Sequence, residues 1–144
     1  MKQLSLIEKA FFLKKTRLFQ DLDLDLLVAI ADKMNQDIYE SGEKVFDQNQ
    51  RANRMYLIAS GKVQLFDENE SLIAQLHKTD FFGDESLFND KERGYLAICE
   101  EKTLFLTLSK SHLMNILSEC PPVAIALLQS YAQHMKSRYL REKA

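Results

Sequence analysis

Apolar residues recur at helical spacing from Leu4 to about Lys15, with Leu6, Ile7, Ala10, Phe11 and Leu13 clustered toward one side. The pattern breaks near Thr16. Asp21 or Asp23 is placed to cap a second helix, which runs to about Met34 with Leu26, Leu27, Ile30 and Met34 inward. From Asn35 the period changes. Short runs of Ile, Val, Phe, Tyr and Leu alternate with turn signals at Ser41-Gly42, Gln48-Asn49, Ser60-Gly61 and Glu68-Asn69. Two more strands are predicted from Tyr95 to Cys99 and from Thr103 to Ser109. Ser109 or Ser111 then caps a helix ending near Cys120. Pro121 and Pro122 stop it, and Pro122 suits the first turn of a final helix continuing to about Glu142. The pattern predicts a mainly β fold with flanking α-helices, an antiparallel jelly-roll β-roll of about eight strands. Helices occupy 4–34, the roll 35–109 and further helices 110–142, in a single domain over 1–144.

One stretch leaves the regular strand pattern, and a ligand site can form where backbone amides are freed in this way. It runs from Phe82 to Ile98. Gly83 permits a close backbone approach, and a short helical turn from Glu85 to Phe88 presents amides that lack intrahelical partners. Arg93, ten residues after Gly83, can close on the same anion with a planar fork of donors. An acid at that spot would repel phosphate, so Asp84 or Glu85 is expected to accept from neutral hydroxyls. The bland alternatives are that Asp84 caps the short helix and that Arg93 pairs on the surface with Asp90 or Glu92. The combination suits a phosphate attached to a sugar.

These residues resemble the phosphate-binding cassette of the cyclic nucleotide-binding domain family. Phe82 and Gly83 match its opening, Leu87 its leucine, and Arg93 its arginine at the family spacing. Upstream, the segment from Tyr39 to Phe46 is similar to the family's first strand pair, and the segment from Met55 to Leu65 to its hairpin. Lys14 to Leu22 is similar to its helical entry. The resemblance runs from about Phe11 to the end of the chain. It implies that Arg93 pairs with a cyclic phosphate while Gly83, Glu85, Ser86 and Gly94 supply amides or a hydroxyl. It also implies that Asp84, in place of the family's glutamate, accepts from the ribose 2′-hydroxyl, with Glu85 as a fallback. Gly94 brings no side-chain hydroxyl where a Thr or Ser favours guanine, so cAMP is expected over cGMP. Asn49 stands at a usual turn glycine and tolerates a left-handed backbone. Tyr95 is the sharpest departure, because a small residue is usual there. Alternation puts it on one face with Ala97 and Cys99, pointing into the barrel, where it either fills volume or crowds the ligand.

The final helix carries Ala124, Leu128, Tyr131 and Met135 at spacings of four, three and four. Three readings stand: packing on the chain's own barrel, a homodimer contact, or a lid over the base. Tyr131, Met135 and Arg138 are the lid residues expected from the resemblance. Lys136, Arg138, Arg141 and Lys143 suit the negative end of the helix dipole.

Composition narrows the function. A net charge of −2 over 144 residues gives no basic field for DNA, and no helix-turn-helix follows the final helix. The apolar runs fall short of the roughly 20 residues needed to span a bilayer. Charges interrupt the apolar start, as a secretory signal avoids, so a cytoplasmic protein with Cys99 and Cys120 as reduced thiols is expected. His77, His112 and His134 are too widely spaced to suggest a metal enzyme, and nothing marks a catalytic triad, so no catalytic residue, metal or cofactor is expected. The expectation is a non-enzymatic sensor whose cyclic nucleotide shifts the C-terminal helices and so reaches an effector domain in a parent or partner protein. The alternative is a degenerate relative that binds no nucleotide and serves as an interaction module.

Overall fold

The computed structural model of the protein describes residues 3–134. Ser5 opens the first helix with a capping box: its hydroxyl accepts from the Glu8 amide, and the Glu8 carboxylate accepts from the Ser5 amide. This sets α1 at Leu6–Lys14, two residues later than periodicity predicts. Its buried side is Ala10, Phe12 and Leu13, while Leu6, Ile7 and Phe11 stay exposed. Of the predicted stripe, Ala10 and Leu13 are inward, and Leu6, Ile7 and Phe11 are corrected. Ile7 and Phe11 lie roughly 100° or more around the helix from Leu13, away from the core, and Leu6 is the first residue of the helix. Asp23 occupies the cap position of α2 (Leu24–Asp32), without a side-chain bond. Leu27, Ile30 and Ala31 point inward, and Leu26, predicted inward, is exposed.

Eight strands follow: β1 (Asn35–Tyr39), β2 (Lys44–Phe46), β3 (Arg54–Ser60), β4 (Val63–Phe66), β5 (Leu72–Leu76), β6 (Phe81–Phe82), β7 (Leu96–Cys99) and β8 (Thr103–Ser109). They form two antiparallel four-stranded sheets, in orders β1-β8-β3-β6 and β2-β7-β4-β5. This is the expected jelly-roll architecture with helices on either side of it in sequence. Asn49 takes the left-handed backbone anticipated for it, at φ 66°. Gly61 closes the β3–β4 hairpin at φ 108°, where any Cβ would collide with Thr103.

Alternation along β3 and β8 separates two apolar clusters. Met55, Leu57 and Ala59 on β3, with Leu104, Leu106 and Leu108 on β8, join the cluster that includes the helices. Tyr56, Ile58 and Phe105 point the other way, into the roll, where they meet Phe46, Val63, Leu65, Phe82, Ala97 and Cys99. Ser109 caps α4 (Lys110–Glu119) by accepting from the His112 amide. Helix α5 (Pro121–His134) begins at the first proline, and Val123 and Leu127 anchor it in the helical cluster. Of its predicted stripe, Leu128 is exposed and Tyr131 half-buried. Met135, Arg138 and the remainder of the predicted helix lie outside the described residues. Cys99 and Cys120 are free and buried. Among the described residues, no helix is long and apolar enough to cross a membrane, and no group of three metal-ligating side chains gathers.

Candidate functional site

The cassette begins where β6 ends. Gly83 has φ 80°, and a Cβ there would sit 3.0 Å from Arg93 Nη1 and 3.3 Å from the Tyr56 ring. Glycine is required both for the backbone conformation and for the space. The short helix α3 (Glu85–Asn89) follows and ends on Asp90 in the left-handed region. The loop after it is tied to the β2–β3 turn: the Arg93 amide donates to Gln50, and the Asn49 amide donates to the Arg93 carbonyl, both at 2.8 Å.

Arg93 is only 4 % exposed. Its Nη1 donates to the Gly83 carbonyl at 2.5 Å and its Nη2 to the Arg54 carbonyl at 2.6 Å. The guanidinium lies over the Phe46 ring, 4.1 Å from the centroid. Its Nε is buried and finds no hydrogen-bond partner among the described residues. The surface pairing with Asp90 or Glu92 does not form; Asp90 pairs with Lys110 instead. Burial pulls the guanidinium below its ordinary pKa, although arginine remains a cation.

Tyr95 takes the position facing these groups. Its ring packs on Phe46 at 5.5 Å. Its hydroxyl accepts from the Gly83 amide at 2.9 Å and donates to Glu85 Oε1 at 3.0 Å. The amide expected for an anion is thus occupied from within the chain. Ser86 donates to the Glu92 carbonyl at 3.3 Å. Gly94 is exposed, and an added Cβ would meet nothing within 4 Å. Neither Ser86, Arg93 nor Gly94 lines the cavity described next, whereas Asp84, Glu85 and Tyr95 do.

Asp84 is buried and has no capping bond, so the capping role is corrected. Its own backbone is already helical, at φ −83° and ψ −31°, which is not a capping conformation. Its Oδ2 accepts instead from the Tyr131 hydroxyl on α5. Burial, with the neighbouring charge of Glu85 adding to it, pushes the Asp84 carboxyl up to about 6, and the Tyr131 hydrogen bond offsets part of this. The pH consequence has a definite sign. Between the ordinary value of 3.8 and about 6 the folded chain holds a proton that the unfolded chain releases, so this residue's contribution to stability declines as pH rises through that window. Asp84→Asn is therefore expected to gain about 1–3 kcal/mol relative to the parent between pH 4 and pH 7. Urea unfolding at the two pH values checks it, and an unchanged difference refutes it.

The cavity has a volume of about 770 Å³. Leu65, Leu76 and Phe81 supply apolar wall, and Asp84, Glu85, Tyr95 and Tyr131 supply polar groups. Lys15 and Arg17 add cationic side chains and His134 an imidazole, and Arg17 Nη1 donates to Gln133 on α5 at 2.8 Å. Sequence reasoning missed Arg17 and also Thr79, a β-branched lining residue held at φ 79°. It identified Phe46 as part of a motif without its role as the platform for Arg93. The alternation of β3, which sends Tyr56 inward with Ile58, is the signal for an aromatic floor.

The family model of the cyclic nucleotide-binding domain matches residues 36–120. The cAMP-dependent protein kinase regulatory subunit of Debaryomyces hansenii is 27 % identical over 106 residues, covering 74 % of this chain and 24 % of that protein. The chain thus spans about a quarter of that relative's length. The structure is similar to the catabolite activator protein of Thermus thermophilus, with TM-score 0.76 and 28 % identity over 82 % of this chain and 57 % of that one. It is also similar to the regulatory subunit of a cAMP-independent protein kinase A from Trypanosoma brucei, with TM-score 0.78 and 21 % identity over 94 % and 50 %.

Proposed function

The chain belongs to the cyclic nucleotide-binding domain family, and on that premise we propose that it is a regulatory domain whose α5 responds to ligand at Asp84. The hydrogen bond from Tyr131 to Asp84 carries this reading. It joins the last described helix directly to the cassette. A ribose hydroxyl that donates to Asp84 competes with Tyr131 for the same carboxylate. When ligand takes the carboxylate, α5 loses its tie to the cassette while Val123 and Leu127 keep it docked. A hydrogen bond to a charged group contributes roughly 1.5–3 kcal/mol, enough to shift a two-state population about tenfold to a hundredfold.

Cyclic nucleotides are the ligand class that the family suggests, with cAMP favoured over cGMP because Gly94 carries no hydroxyl. A cyclic phosphate would have to take the Gly83 amide from Tyr95, and Arg93 Nε is the donor still lacking an acceptor. The domain would act from the cytoplasm as a non-enzymatic unit, a single domain over residues 1–144, passing its state to an effector. Exposed Ile125 and Leu128 on α5 offer a surface for that effector or for a second copy of the chain.

The self-satisfied cradle favours a second reading, an interaction module that binds no nucleotide. Calorimetry separates the two. Tyr131→Phe removes the internal competitor, so ribose-bearing ligands are expected to bind about tenfold tighter than to the parent. If no ribose-bearing ligand, phosphorylated or not, gives heat with the parent or with Tyr131→Phe, the module reading stands.

A further inference from the structure

We propose that Tyr95 makes this cavity select an uncharged ribonucleoside over the corresponding 3′,5′-cyclic nucleotide, because its hydroxyl fills the phosphate position, whereas at the ribose position a sugar hydroxyl has only to replace Tyr131 on Asp84. The inference rests on the reading above that the cavity beside Asp84 is a ligand site.

Three observations support it. The first concerns donors. The Gly83 amide, which would hold a phosphate oxygen, donates to the Tyr95 hydroxyl at 2.9 Å. That hydroxyl is held in turn by Glu85 at 3.0 Å, and the ring rests on Phe46. An entering phosphate must break both hydrogen bonds and lift the ring, whereas a nucleoside leaves all three contacts in place.

The second concerns charge. Arg93, the buried cation of the cassette, is turned to the Gly83 and Arg54 carbonyls and does not line the cavity. The cassette side of the cavity presents the carboxylates of Asp84 and Glu85, with Asp80 nearby on the wall. A cyclic phosphate would sit among like charges without its counter-cation, a cost that a neutral ligand avoids. Lys15 and Arg17, cations that line the cavity, follow from the end of α1 and are not on the cassette.

The third concerns what remains available. Asp84 is an acceptor suited to a sugar hydroxyl, a donor that can exchange with Tyr131 there while Glu85 keeps its bond from Tyr95. Leu65, Leu76 and Phe81 give a base an apolar wall. The volume of about 770 Å³ lies within the range of small-molecule sites.

Calorimetric titration of the full chain with adenosine, guanosine, cAMP and cGMP tests this, using the parent, Tyr95→Phe and Tyr95→Ala. The parent is expected to bind at least one nucleoside about tenfold or more tighter than its cyclic monophosphate. Tyr95→Phe keeps the ring and frees the Gly83 amide, so the ratio narrows. Tyr95→Ala clears the position, so the cyclic nucleotide gains about tenfold or more while the nucleoside changes little. Cyclic nucleotides binding the parent as tightly as nucleosides would overturn the selectivity and leave the regulatory reading intact. A nucleoside-to-cyclic-nucleotide ratio that is the same in the parent and in folded Tyr95→Phe would also overturn it. If none of the four ligands binds any of the three proteins, the cavity is not a nucleotide site and both proposals fall together.

Discussion

Arg93→Ala lowers the unfolding free energy by about 2–4 kcal/mol, read as a drop in the urea midpoint with an unchanged slope. The side chain satisfies two backbone carbonyls on separate segments, Gly83 in the cassette and Arg54 at the start of β3. Truncation leaves both acceptors without a donor, each costing about 1–3 kcal/mol where water cannot reach it. It also strips the guanidinium from the Phe46 ring. Relief of the buried, unpaired charge offsets part of that loss, which keeps the total below the simple sum. Arg93→Lys is expected to recover less than half, because an ammonium cannot span both carbonyls with a rigid fork. A folded alanine variant with the parent's midpoint would mean that the arginine does not hold the cassette to β3.

Phe105→Ala has the largest effect on stability, about 3–5 kcal/mol. Phe105 has no exposed surface and lies between Tyr39, Tyr56 and Phe82, with ring centroids 5.4, 5.4 and 5.6 Å away. Three edge-on aromatic contacts and the transfer of a full ring into the interior are lost together. In a chain of this size the melting temperature is expected to fall by about 10 °C, measured by circular dichroism. Phe82 immediately precedes Gly83, so slack in this cluster passes to the cassette. Ligand affinity is therefore expected to weaken along with stability, which separates Phe105 from a purely peripheral core residue.

The roll was readable because its signals are local. Strand alternation, the glycine at 61, asparagine at 49 and the serine cap at 109 each act within a few residues, and each sits where the pattern placed it. The face of α1 was legible only in part, at Ala10 and Leu13, for the converse reason. Six apolar positions in a short helix admit more than one inward side, and only packing against the neighbouring elements selects Ala10, Phe12 and Leu13. The cassette divides the same way. Its position followed from the spacing of Gly83 and Arg93, and Tyr95 was expected on the inward face. The direction of the guanidinium was not legible, since Phe46 and the Arg54 carbonyl come from distant strands. Nor was the Asp84–Tyr131 bond, whose partners stand 47 residues apart.

The opposed faces of β3 and β8 insulate the two clusters from each other. One face carries the outer helices and the other closes the hollow, and a substitution on either side meets its own neighbours first. A change in what the helices touch can therefore leave the lining of the hollow in place.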